Sequence, residues 1–145
     1  MVLENINLRI LKTTDLTRDY LMWLSDFDVT KFSNNQYKKA TFKSQLNYIK
    51  SFKNNKTKYL YGIFLKKKHI GNLVLGPIDK NHKRSEITYM IGDKNYWGLG
   101  IGSHVISKIV TIAKKKFNLK KLYASCASKN YGSQKVLIKN KFVLE

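Results

Sequence analysis

One glycine-rich segment divides two hydrophobic periods and limits what this chain can build: WGLGIGS, Trp97 to Ser103, with Gly98, Gly100 and Gly102 at alternate positions. Beyond it Ile101, Val105, Ile109, Ile112 and Ala113 recur at intervals of three and four, widened by Ile106 and Val110. That spacing predicts a helix whose apolar face packs on a sheet. Ahead of it Tyr59 to Leu65, Ile70 to Leu75 and Glu86 to Ile91 are short apolar or alternating runs. The Lys66 to Lys68 turn and the polar stretch PIDKNHKRS separate them, which predicts an antiparallel meander.

The flanks complete an α/β pattern. Ile6 to Leu11 alternates and reads as a first strand, and Thr14 with Asp15 is placed to cap the helix after it. Helical spacing recurs in Leu16 to Leu24 and in Thr41 to Phe52. After the long helix, Leu122 to Ala127 fits a buried strand and Ser133 to Lys139 a last helix. The order is strand, helices, three strands, helix, strand, helix, without repeat or linker, so residues 1–145 are expected to form one α/β sandwich domain with a mixed sheet.

Composition narrows the partners. Lys and Arg number 28 against 9 Asp and Glu, a formal net charge of +19, which suits anionic ligands or a solvated lysine surface. The single cysteine, Cys126, excludes an intrachain disulfide and reads as a small core hydrophobe. With three histidines, His69, His82 and His104, there is no metal-ligand spacing, so no metal is expected. The N-terminus MVLENINLRIL lacks a signal-peptide pattern and no apolar run spans a membrane, so a cytoplasmic address without membrane association is expected.

The glycine segment itself fits phosphate. Amides at the start of a helix have no helical acceptors, and glycines let a ligand approach the backbone closely. Dinucleotide binding would need G-x-G-x-x-G and an acid about 20 residues on, but the spacing here is G-x-G-x-G and Lys115 to Lys121 holds no acid. No Gly-Lys-Ser/Thr follows, which removes the P-loop. A pyrophosphate cradle and a plain connecting turn both remain.

The ordered segments resemble the GCN5-related N-acetyltransferase superfamily, and most closely its ribosomal-protein N-terminal acetyltransferase-like branch. The matching pieces are the start at Leu8 to Ile10, WLSD at Trp23 to Asp26, EITYMIG at Glu86 to Gly92, YWGLGIGS at Tyr96 to Ser103, and the Asn-x-x-Ser step at Asn130 to Ser133. The resemblance implies an acyl-CoA N-acyltransferase fold, a mixed and mostly antiparallel sheet flanked by helices. It also implies acetyl transfer from acetyl-CoA to a primary amine of a small molecule, such as an amino-sugar nucleotide, or of a protein N-terminus. Gly100 and Gly102 match the family's small residues, and Trp97 stands where many members carry Arg or Gln.

On this resemblance Trp97, Gly98, Leu99, Gly100, Ile101, Gly102 and Ser103 would hold the pyrophosphate, and Asn130 would lie near the cofactor arm. The strand before the glycines is expected to bulge and splay from the next one, Thr88 to Ile91 from Tyr123 to Cys126, with a Met90 or Ile91 amide polarising the acetyl carbonyl. Glu86, the only acid between Asp79 and Asp93, is the candidate base, against the plainer reading of an ion pair with Arg84 or a lysine. Leu137 occupies the position of the family's acidic tyrosine, so Ser133 or water is left to manage the departing thiolate. Trp23, Phe27 and Tyr37 are candidates to border the acceptor, although Trp23 and Phe27 also sit at core-packing spacing.

The resemblance further implies a Gly-Phe pair and two more strands after the last helix. Here Lys141 precedes Phe142 and the sequence given stops at Glu145, so those C-terminal strands are missing from it, and a bare sheet edge that a homodimer would cover is expected. The positive charge favours an anionic acceptor and disfavours polyamines. The rival reading is a non-catalytic acetyl-CoA-binding protein or a nucleic-acid or ribosome-associated protein, although no specific nucleic-acid module is visible.

Overall fold

The computed structural model describes residues 3–33 and 39–145. Strands β1 (Ile6–Ile10), β2 (Tyr59–Leu65), β3 (Lys68–Asp79), β4 (Arg84–Ile91) and β5 (Lys121–Tyr123) form one sheet in chain order. The first four are antiparallel neighbours, whereas β5 runs parallel to β4 because a 17-residue helix, Ile101–Phe117, lies between them. β3 extends past the expected Leu75 because its register slips between Leu75 and Ile78, at Gly76 and Pro77, and pairing then resumes.

The helices divide between the two faces. α1 (Arg18–Ser25), the single turn α2 (Phe27–Thr30) and α3 (Phe42–Lys50) precede β2, while α4 (Ile101–Phe117) and α5 (Tyr131–Lys139) follow β4 and β5. On one face Ile101, Val105, Ile106, Ile109 and Ala113 of α4 pack with Ile63, Leu73, Leu75 and Ile87 of the sheet. This is the contact that the spacing of the α4 residues predicts. On the other, Tyr20, Trp23, Leu24 and Ile49 cover Leu60 and Phe64, with Val74 and Met90 at the margin. Each fully buried aliphatic side chain contributes about 1.5–3 kcal/mol, so the two layers anchor the ends of β3 and β4 firmly.

Several boundaries differ from expectation. Thr17, not Thr14 with Asp15, caps α1, accepting from the Tyr20 amide at 3.2 Å. Asp15 is held instead by Arg9, at 2.7 and 2.9 Å, and by the Lys12 amide at 2.7 Å. α5 begins at Tyr131, two residues early, because the Asn130 side chain accepts from the Ser133 amide at 3.2 Å. β5 stops at Tyr123, short of the expected Ala127, and Cys126 beyond it is exposed rather than a core residue. Among the described residues no helix is long and apolar enough to cross a membrane.

Candidate active site

The cradle is built by the turn between β4 and α4. Asp93 caps a short 3-10 turn, Lys94–Tyr96, and the Trp97 indole donates back to the Ile91 carbonyl at 2.8 Å, fixing where the chain leaves the sheet. Gly98 (φ 74°) and Gly100 (φ 80°) both lie in the left-handed region that L residues avoid. A Cβ on either would meet nothing within 4 Å, so open space faces this backbone.

Gly100 is the N-cap of α4, and its carbonyl receives the His104 amide at 3.1 Å. The amides of Ile101, Gly102 and Ser103 therefore precede the first helical bond and point out of the helix start. No acid occupies this turn. Bare amides, the positive end of a 17-residue helix dipole and space in front of two glycines suit a pyrophosphate. The Ser103 hydroxyl is already engaged, receiving the Asn140 side-chain amide at 3.0 Å. Its backbone amide is the group left for a ligand.

Below the cradle the sheet opens. β4 pairs with β5 only from Arg84↔Lys121 to Glu86↔Tyr123, yet β4 continues to Ile91. The expected bulge in β4 is absent: its register against β3 is continuous from Leu75↔Ile87 to Gly71↔Ile91. The slot forms because β5 turns away, not because β4 buckles. The Gly92 amide donates to the Ile70 carbonyl at 2.8 Å, and antiparallel bonding alternates. Met90 and Thr88 accordingly bond toward β3, while Ile91 and Tyr89 present backbone groups to the open side. Of the two amides expected to polarise the carbonyl, Ile91 faces the slot and Met90 faces β3.

Glu86 sits where the two strands part. Its side chain is half-buried and forms no ion pair among the described residues, since Arg84 turns to Asp79 at 3.4 Å. By alternation Glu86, Thr88 and Met90 share the α1–α3 face, whereas Ile87, Tyr89 and Ile91 share the α4–α5 face. On that second face the Tyr89 hydroxyl lies 3.1 Å from Ser133 Oγ, at the start of α5. Burial pushes the Tyr89 phenol up, so it stays protonated at neutral pH. Leu137 is buried in the core.

The acceptor-side candidates separate. Trp23 is buried, packed on Tyr20 and His69 at ring-centroid distances of 5.3 and 4.8 Å and against Gly92. Phe27 is 64% exposed and free to meet a ligand. Tyr37 lies outside the described residues. Beside Trp23 runs a buried chain: Gln45 and Asn72 each donate to the Tyr20 hydroxyl at 2.7 Å, and Asn72 Oδ1 meets His69 Nε2 at 2.7 Å. Burial raises the Tyr20 phenol to about 12 and lowers the His69 imidazole, keeping both neutral.

A family model described as an acetyltransferase (GNAT) domain matches residues 5–143. The chain belongs to the GNAT acetyltransferase family. This GNAT-type N-acetyltransferase has the fold of spermidine N-acetyltransferase from Vibrio cholerae in complex with CoA and spermine: TM-score 0.85, 19% identity, covering 98% of this chain and 83% of that one. It is equally similar to a ribosomal L7/L12 alpha-N-protein acetyltransferase in complex with coenzyme A, with TM-score 0.85, 18% identity, and coverage of 100% and 84%. The microcin C7 self-immunity acetyltransferase in complex with acetyl-CoA and AMP also matches, with TM-score 0.85, 19% identity, and coverage of 98% and 81%. No curated protein sequence matches the chain significantly.

Two side chains bonded to candidate site residues, Tyr89 to Ser133 and Asn140 to Ser103, escape a reading of the sequence by motif. Tyr89 was within reach, because strand alternation puts it on the face opposite Glu86. Asn140, which ties the end of α5 to the start of α4, carries no local signal at all.

Proposed function

We propose that this GNAT enzyme holds the pyrophosphate of acetyl-CoA on the backbone of Gly98 to Ser103 and the pantetheine arm between β4 and β5. The observation that carries the reading is the parting of the two strands after Glu86↔Tyr123, directly below the helix start of α4. An extended amide-bearing arm can bond there to the N–H and C=O of Tyr89 and to the Ile91 N–H, the Ile91 carbonyl being held by the Trp97 indole. The Ile91 or Tyr89 amide then polarises the thioester carbonyl. Asn130, which shapes the first turn of α5, borders the arm from the other side.

Glu86 projects to the opposite face, toward α1–α3, and this arrangement supports attack from that side. An amine with pKa near 10 must lose a proton before it attacks, and Glu86 accepts it directly or through one water. The C–N bond forms as the C–S electron pair leaves on sulfur. Phe27, at 64% exposure in α2, is one exposed aromatic available to an acceptor there.

For the acceptor, the ribosomal-protein N-terminal branch is the finer placement proposed. Among the described residues Asp26 and Asp28, the acids of the α1–α2 corner, are both paired with Lys94, at 2.9 and 3.2 Å, so little negative charge remains there to attract a polyamine. With +19 overall the field favours an amine on an anionic carrier, such as an amino-sugar nucleotide or an acidic protein N-terminus. Calorimetry with acetyl-CoA tests the reading, followed by thiol release with a uridine-diphosphate amino sugar, an acidic N-terminal peptide and spermidine. Binding with turnover of either anionic acceptor is expected. Absence of acetyl-CoA binding at tens of micromolar overturns the cofactor assignment, and preferential turnover of spermidine overturns the acceptor assignment.

A further inference from the structure

Leu137 cannot donate a hydrogen bond to the departing thiolate and lies in the core, which leaves Ser133, the candidate already named from the sequence. The slot has a polar wall. An arm entering from the cradle passes Ile91 and then Tyr89 before β4 and β5 rejoin at Glu86. At the level of Tyr89 the wall consists of its phenol, Ser133 Oγ 3.1 Å away, and the first turn of α5. The ring of Tyr89 also lies where a Cβ on Gly102 would be 3.6 Å from Cε2, so it is wedged between α4 and α5.

The geometry points to a role for Tyr89 that rests on the acetyl-CoA reading above and on Ser133 as the group that meets the thiolate: Tyr89 is a positioning residue that aims the Ser133 hydroxyl at the CoA sulfur. The phenol is the stronger acid and the alkyl hydroxyl the better acceptor, so Tyr89 donates to Ser133 Oγ. That contact uses a lone pair of Ser133 and leaves its O–H free to turn into the slot. The Ser133 amide is already bound to Asn130, which fixes the rotation of the turn. The amides of Tyr131 and Gly132 add the positive end of the α5 dipole. As the C–S bond breaks, its electron pair moves to sulfur and is met by the Ser133 hydrogen bond. The thiolate later takes its proton from water, and both hydroxyls return unchanged.

CoA itself is a probe that needs no acceptor. The ultraviolet thiolate absorbance of bound CoA is titrated in the Cys126→Ser protein, which removes the chain's own thiol, and calorimetry establishes saturation. The pair should make bound CoA at least tenfold more acidic than free CoA titrated alongside it, a downward shift of about one pKa unit. Tyr89→Phe, which keeps the ring, should lose most of that shift, and Ser133→Ala should lose as much. The double variant should lose no more than either one, because Tyr89 acts through Ser133. Ser133 is half-buried at a helix start, so Ser133→Ala carries the test should Tyr89→Phe fold poorly. Bound CoA that titrates like free CoA, or variants within twofold of the parent, overturns the role of the pair while leaving cofactor binding intact. Failure of the parent to bind CoA overturns both.

Discussion

Substituting the three glycines one at a time separates what the backbone requires from what a ligand requires. Gly100 sits at φ 80° with nothing within 4 Å of an added Cβ, so Gly100→Ala creates no clash. Its cost is the left-handed conformation, about 1–2 kcal/mol, offset by roughly 0.4–1 kcal/mol from a less flexible unfolded chain. The net is a loss of about 1 kcal/mol, or a melting temperature lower by about 4 °C for a domain of this size. The methyl also fills the space before the Ile101 amide. Losing one charge-assisted hydrogen bond to phosphate costs about 1.5–3 kcal/mol, which is roughly 10- to 100-fold in CoA affinity.

Gly98→Ala, at φ 74° and equally open, should behave in the same way. Gly102 contrasts with both: it is helical, and its Cβ would touch the Tyr89 ring at 3.6 Å and Val136 at 3.7 Å, ordinary contacts turned away from the cradle. Gly102→Ala should therefore raise stability by roughly 0.5 kcal/mol and leave CoA affinity unchanged. Thermal melts with and without CoA, together with calorimetry, read both quantities. Wild-type CoA affinity in Gly100→Ala, or loss of affinity in Gly102→Ala, would refute the placement of the pyrophosphate.

Other consequences are open to simpler measurements. Glu86→Gln should keep acetyl-CoA affinity and lower turnover by about 10²–10³, and unchanged turnover across pH would dismiss Glu86 as the base. Cys126 is exposed beside the slot, so CoA should slow its alkylation by iodoacetamide at least fivefold, whereas equal rates would place the arm elsewhere. His69 has a depressed pKa because it is buried, so it is neutral in the fold and charges on unfolding below about 6.5. Stability is thus full above that pH and falls as pH drops toward the folded pKa, a loss that His69→Gln should flatten in urea titrations. Asp15 is lowered chiefly by its hydrogen bond to Arg9, so its contribution, about 1 kcal/mol for a partly exposed pair, is present above about 3.9 and lost as pH falls through its folded value; Asp15→Asn should remove it.

The long helix and the meander were legible because their periods are fixed by one face each, and Ile101, Val105, Ile109 and Ala113 pack where that spacing puts them. Ends were less legible. The run Lys12 to Thr17 offers four capping side chains, and only the competition from Arg9 for Asp15 decides that Thr17 caps α1. The same limit hid the shortness of β5: Leu122 to Ala127 is apolar enough to pair, but a strand lasts only as long as its neighbour stays beside it. Cys126 is on the surface instead of in the core for that reason. The glycines at 98 and 100, both with positive φ, were readable as a tight turn before a helix, whereas Tyr89 and Ser133 meet across 44 residues of sequence and needed the fold to be seen together.

The separation of β5 from β4 also bears on the lifetime of the protein in a cell. A sheet left unstitched over several residues is a place where local opening begins, and a small molecule bridging the gap, as proposed for the pantetheine arm, would act as a removable extension of the fifth strand. Ligand at 100 times its dissociation constant adds about 2.7 kcal/mol to the folded state. That is a large part of the margin typical of such domains. The abundance of the protein would then follow the supply of acetyl-CoA, falling by proteolysis when the metabolite is scarce, before any change in gene expression.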